Sequence, residues 1–227
     1  MLSDPAYTVL RTRRRLASIT ISPHNKITVR VPWNFSEEQI RKFLDSRQKW
    51  IAKVLERNRP WLEWQAARRY ETGDAFFYLG REYRLEIRKE PGESVHIENE
   101  SLCLSAERPS KDVIVSMLEE WYKSQAREIF AARLVHYENE MGLVARGLRI
   151  KHLRSLWGSC TSGEMITLNW RLVMAALEVI DYVIVHELGH LKHPNHSRRF
   201  WEYTGRYAPD YARHRRWLNQ NGRWMTL

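Results

Sequence analysis

Apolar and polar positions alternate through much of the first hundred residues. "LASITISPHNKITVRVP" (16–32) alternates on both sides of a Pro-His-Asn turn and predicts a β-hairpin. "DAFFYLGREYRLEIRK" (74–89) predicts a second hairpin, turning at Leu79–Arg81, and "SVHIENESLCLSA" (94–106) a third, turning at Asn99–Ser101. Between the first two lies a helical stretch, "NFSEEQIRKFLDSRQKWIAKVLERNRP" (34–60). Ser36 followed three residues later by Gln39 reads as its capping box, and Pro60 as its stop. From residue 109 the period changes: Val113, Met117, Trp121, Ala126, Ile129 and Leu134 recur at helical spacing, and Gly142 closes that helix. "LRIKHLRSLWGSCTSGEMITLNWRLVMA" (148–175) returns to strand character around a Gly/Ser/Cys-rich turn, followed by helices over "LEVIDYVIVHELGHLKH", "SRRFWEYTGRYA" and "DYARHRRWLNQNGRW".

This order predicts an α+β fold. A β-rich accessory region of hairpins plus a helix spans 1–108, and a second domain built around the "HELGH" helix spans 109–227. The break at 106–110 is expected to be packed rather than a flexible linker. A chain of 227 residues, 43% hydrophobic and with ten tryptophans, can bury a core of that size.

Composition narrows the setting. No apolar run reaches the roughly 18 residues that suggest a membrane-spanning helix. The first residues carry Asp4 and no apolar stretch of about 7–15 residues, so no secretory signal is expected. The only cysteines, Cys103 and Cys160, lack CxxC spacing, which argues against a disulfide framework and a cysteine zinc finger and fits a reducing cytoplasm. The net charge of +10 is unevenly spread. Residues 1–70 carry 15 basic and 6 acidic side chains, 71–148 carry 10 and 15, and 149–227 carry 12 and 6. Two basic ends, one of them containing "RTRRR", would attract an anionic partner such as a nucleotide or nucleic acid if they met in space. Alternatively they only keep the chain soluble.

The densest chemistry lies in "VHELGHLKHPNHSRRFW" (185–201), with four histidines within eleven residues. His186, Glu187 and His190 form HExxH. Residues four apart on a helix share a face about 6 Å apart along the axis, so two imidazoles can take two corners of a zinc site. Glu187 then lies beside the metal, placed to polarise water rather than to ligate. The preceding "VIDYVIV" is apolar enough to be buried, and burying two histidines and a glutamate is costly unless something satisfies them. Zn2+ would satisfy all three. A third ligand must come from His193 or His196. In a continuing helix His193 would sit about 10 Å along the axis from His186, too far to share one ion. Pro194 disfavours helix at His193, so the chain can turn back there, and His196 beyond the turn is the favoured ligand.

"LWGSCTSGEMITLNWRL" followed by "VIDYVIVHELGHLKHPNHSRRFW" resembles the YgjP-like metallopeptidase family, and more distantly the SprT/Spartan-like proteases, most closely over residues 150–202. The resemblance implies a zincin-like metallopeptidase domain with His186, His190 and His196 as zinc ligands and Glu187 as general base. Where many relatives have an arginine before the tryptophan of WGSC, this chain has Leu156.

The expected reaction is metal-assisted hydrolysis with Glu187 handling the proton of the attacking water. Tyr203, Tyr207, Arg198 and Arg199 follow the third histidine and are candidates to stabilise the oxyanion. Asn169 and Asp181 are candidates to orient a ligand histidine, and "GEMITLNWRL" a candidate edge strand for pairing with an extended peptide. Peptide hydrolysis leads. Hydrolysis of an anionic small molecule, such as a UTP-type pyrophosphatase reaction, and a protease associated with DNA are the alternatives.

Overall fold

Residues 6–227 are described by the computed structural model, and the chain divides into two units, Met1–Arg68 and Arg69–Leu227. In the first, the predicted hairpin forms from β2 (Ser18–Ile21) and β3 (Ile27–Pro32), paired antiparallel. A preceding strand, β1 (Tyr7–Thr12), adds parallel to β3, which becomes the centre of a three-stranded sheet. Ile27, Val29 and Val31 point to one side of β3 and bury against Ile40 and Ile51 of the two helices.

Those helices are α1 (Glu37–Asp45) and α2 (Gln48–Ala67), where the sequence suggests one. The capping box is present: Gln39 N–H donates to Ser36 Oγ at 3.2 Å, and Ser36 N–H donates to Gln39 Oε1 at 2.8 Å. Pro60 does not stop α2. The helix continues to Ala67 because its buried stripe, Ile51, Val54, Asn58 and Trp61, runs past the proline, and Trp61 is 3% exposed. The packing of that indole outweighs the hydrogen bond that proline cannot make.

The second unit holds the rest. The two predicted hairpins are β4 (Ala75–Tyr78) with β5 (Arg81–Arg88) and β6 (Ser94–Glu98) with β7 (Ser101–Ser105). They join through parallel β5–β7 pairing into one sheet of order β4-β5-β7-β6. Leu85, Leu102 and Leu104 from this sheet share one core with the 31-residue helix α3 (Lys111–Met141). Ala106, 1% exposed, belongs to that core. The stretch expected to divide the chain at 108/109 therefore lies inside the second unit. Its N-terminal hairpins pack on the same apolar face as the helix that follows.

A smaller sheet follows: β8 (Gly147–Lys151), β9 (Gly158–Cys160) and β10 (Met165–Asn169), in the order β8-β10-β9. Strand β10 pairs parallel with β8 and antiparallel with β9, so it is central, with Ile166 and Leu168 fully buried. The edges of this sheet are β8 and β9, not "GEMITLNWRL" as expected. The reason is that β10 is hydrogen-bonded on both sides and apolar on its buried positions. Three helices complete the unit: α4 (Leu177–Lys192), α5 (Arg198–Tyr207) and α6 (Tyr211–Asn221). The whole is mixed α+β, as the pattern predicts. No helix among the described residues is long and apolar enough to cross a membrane.

Candidate metal centre

Helix α4 is buried along most of its length, with Ile180, Ile184, Val185 and Leu188 fully enclosed. Its approach is fixed on the α3 side by Arg133, whose Nε and Nη2 donate to the two Asp181 carboxylate oxygens at 2.6 and 2.7 Å. HExxH occupies the last turns. The helix stops at Lys192, and His193 is extended (φ −132°, ψ 99°) ahead of Pro194. Ser197 caps α5, accepting from Phe200 N–H at 3.4 Å.

The reversal returns His196 onto α4. One ring nitrogen from each of His186, His190 and His196 lies within 4.8 Å of the others, and His196 Nε2 is 2.9 Å from His186 Nε2. Phe200, fully buried and one helical turn past His196, forms the floor of this group. Its ring centroid is 4.9, 4.7 and 4.9 Å from those of His186, His190 and His196. The glycine of HELGH lets α5 pack closely on α4: a Cβ on Gly189 would meet Phe200 at 3.1 Å and Thr204 Oγ1 at 3.3 Å, so those side chains would have to give.

His193 contributes backbone rather than ring. Its carbonyl lies 3.2 Å from His190 Nδ1, so a proton on Nδ1 leaves His190 Nε2 free to act as a ligand. The His193 ring packs edge-on against Tyr203 at 5.6 Å, outside the group of three.

Glu187 is 5% exposed and lies against β9. A Cβ on Gly158 would come within 2.6 Å of its Oε1, so any side chain at this position of WGSC would displace the Glu187 carboxyl. The backbone N–H of Cys160 hydrogen-bonds the carboxylate. Burial dominates over that bond and pushes the Glu187 carboxyl up to about 8. Burial, then the neighbouring His190, His196 and Arg215, hold His186 down to about 3, so its ring is neutral. The same causes lower His196: burial first, then His190 and Arg215. His186 Nδ1 is buried without a hydrogen-bond partner.

A cavity of about 180 Å³ opens beside His186 and Glu187. Its apolar walls include Leu156, Trp157 and Tyr182, and Arg215 and Asn219 of α6 supply its further polar groups. Tyr182, its hydroxyl pushed up to about 12 by burial, meets the His186 ring at 5.9 Å.

The expected oxyanion candidates lie elsewhere. Tyr203, 6% exposed, donates its hydroxyl to Met141 carbonyl at 3.3 Å, and Tyr207 packs on its ring at 5.4 Å. Arg198 pairs with Glu202 at 2.7 Å, and Arg199 is exposed on the first turn of α5. None of the four lines the cavity. Asn169 and Asp181 do not touch the histidines. Asn169 Nδ2 donates to the Leu153 and Leu156 carbonyls at 2.9 and 3.2 Å, pinning the loop that enters WGSC. Arg215, Asn219 and Tyr182 were missed because they are ordinary helix residues in sequence. Only the packing of α6 beside α4 brings them to one cavity.

These three imidazoles and the buried glutamate sit in a chain whose relatives are known. The YgjP-like family model, described as "YgjP-like, metallopeptidase domain", matches residues 15–221. None of the curated proteins matches the chain. Among solved structures it is similar to the metallopeptidase zymogen abylysin of Pyrococcus abyssi, at 23% identity and a TM-score of 0.35, over 40% of this chain and 93% of that one. The family match spans nearly the whole sequence, including WGSC, HELGH and NHSRRFW, and the chain belongs to the YgjP-like metallopeptidase family.

Proposed function

We propose that the protein is a zinc-dependent peptidase in which His186, His190 and His196 hold the metal and Glu187 is the general base. The observation that carries this reading is the convergence of three imidazole nitrogens within 4.8 Å beside a buried carboxyl. The residues fit the ion. Nitrogen donors that stay neutral suit zinc, and three protein ligands leave a position open for water or substrate. Burial keeps His186 unprotonated, and the backbone carbonyl of His193 orients His190.

When bound there, zinc supplies Lewis acidity that acidifies water and polarises the scissile carbonyl. Glu187 accepts the proton of the attacking water and delivers it to the leaving amine. Two features suit it to that task. Burial raises its proton affinity, and the Cys160 N–H fixes one face of the carboxylate. Gly158, lacking a Cβ, lets the strand that carries Cys160 lie against Glu187 of α4. The free edge of β9 offers main-chain groups next to Glu187 on which an extended peptide can lie.

The size of the cavity favours a peptide over a nucleoside triphosphate. Pockets for drug-sized ligands run roughly 300–1,000 Å³, and this one, at about 180 Å³, suits a single side chain. The test compares casein cleavage with pyrophosphate release from UTP for the wild type and Glu187→Gln. Casein cleavage that falls by roughly 10²–10⁴-fold in the variant, with zinc retained, is the expected result. UTP turnover without proteolysis, or proteolysis that survives Glu187→Gln, refutes the reading.

A further inference from the structure

Resting on the peptidase reading above, we propose that the cavity beside Glu187 is a specificity subsite in which Arg215 and Asn219 receive a carboxylate of the peptide substrate. Three features of α6 support this. First, Arg215 and Asn219 stand four residues apart, on one helical face, and both line the cavity that His186 and Glu187 share. Second, the guanidinium of Arg215 has no ion pair among the described residues, whereas Arg213, two positions earlier, is taken by Asp210 at 3.2 Å. Third, the exposed Arg215 side chain lies over an aromatic ring. Its Cζ lies 5.2 Å from the Trp201 ring, and Trp201 is itself stacked with Tyr211 at 5.0 Å and His196 at 5.5 Å.

A guanidinium placed over a ring face keeps N–H groups for other partners, and their fork matches the two oxygens of a carboxylate. The chemistry of the walls agrees. Leu156, Trp157 and Leu218 would cover the methylenes of a short side chain, and the cavity has room for little more than one. The other acid in the cavity, Glu187, does not compete for Arg215, because it lies on Gly158 and takes the Cys160 N–H. A carboxylate can come from an acidic side chain next to the scissile bond or from the C-terminus of the peptide.

The test uses the full-length, zinc-loaded Glu187→Gln protein, which binds peptide without turning it over. Fluorescein-labelled alanine hexapeptides carry Glu, Gln or Ala at a central position, each with a free or an amidated C-terminus. Anisotropy should report roughly tenfold or tighter binding for peptides bearing the preferred carboxylate. Preference for Glu over Gln with an amidated end identifies a side chain, and preference for the free end identifies the terminus. Adding Arg215→Gln should remove the preference while zinc content and the thermal midpoint stay unchanged, and Arg215→Lys should keep part of it. Competition of the same peptides against casein cleavage by the wild type gives a second readout should Glu187→Gln lose zinc. Binding without a carboxylate preference, or a preference that survives Arg215→Gln, overturns the proposal alone. So does casein cleavage that none of the peptides binds to or competes with. Loss of both peptide binding and casein cleavage overturns the peptidase reading and the subsite with it.

Discussion

Two places in the second unit bring three possible ligand atoms within 4.8 Å: His186, His190 and His196 at the end of α4, and His96, Glu98 and Cys103 on strands β6 and β7. By proximity they are equal, but their surroundings differ. At the second group Arg88 Nε donates to Glu86 at 2.9 Å and its Nη2 to Glu98 at 2.8 Å. The Cys103 thiol lies 3.8 Å from an oxygen of each carboxylate. Arg88 holds the Glu98 carboxyl below the usual range, and burial pushes the Cys103 thiol up. Arg88 already engages both carboxylates there, and the thiol is kept from the thiolate form that a metal needs. At the histidine group Arg215 lies near enough to lower His186 and His196, but among the described residues no ion pair engages Glu187. Three imidazole rings face one another over Phe200, and a buried carboxyl stands beside them. Proximity alone does not make a metal centre. What separates the two groups is whether the protein has already satisfied the ligands.

The comparison breaks most sharply at Gly158. A Cβ there collides with the Glu187 carboxyl, so Gly158→Ala should cost roughly 1–3 kcal/mol of stability. It should also lower peptidase activity by roughly tenfold or more, since misplaced catalytic groups lose rate steeply. Chemical denaturation and casein cleavage check both, and a variant with wild-type activity would show that Glu187 does not depend on β9.

Acidity sharpens it next. In metal-free protein Glu187 is raised from 4.5 to about 8, so between those pH values the folded chain keeps a proton that the unfolded chain releases, and stability falls as pH rises. His186, lowered from 6.5 to about 3, acts in the opposite sense, but only below 6.5. From pH 6.5 to 8 the Glu187 effect stands alone. The EDTA-treated wild type should therefore lose stability across that window, and EDTA-treated Glu187→Gln should lose less. Equal slopes in the two proteins would contradict the burial argument.

The smallest effect belongs to the group that Arg88 engages. Arg88, Glu86 and Glu98 are partly exposed, with side-chain exposures of 33%, 41% and 51%. Arg88→Ala should then change the denaturation midpoint little and leave zinc content and proteolysis unchanged. A larger loss of either would mean that the sheet supports the centre more directly than its contacts imply.

The part of the site that is written locally was legible in the sequence. HExxH gives two histidines and a glutamate on one helical face. Pro194 gives the end of that helix, and the spacing to His196 gives a return. Caps and turns were legible for the same reason, as with Ser36 and Gln39 or the Asn99 turn, where the residue itself takes a positive φ of 53°. What depends on long-range packing was not legible. The parallel pairing of β1 with β3 and the central place of β10 are choices between strands distant in sequence. Pro60 reads as a stop until the burial of Trp61 is known. Tyr203 and Arg198 follow the third histidine closely, yet Met141 and Glu202 engage them, while Arg215, nineteen residues beyond His196, faces the cavity.

The most direct measurement is zinc per chain, by native mass spectrometry and metal analysis, for the wild type, His196→Ala, His193→Ala and the double variant His96→Ala/Cys103→Ser. The account predicts one zinc in the wild type, in His193→Ala and in the double variant, and none in His196→Ala. Zinc that persists without His196, or that is lost with His193 or with the His96 and Cys103 pair, would contradict it.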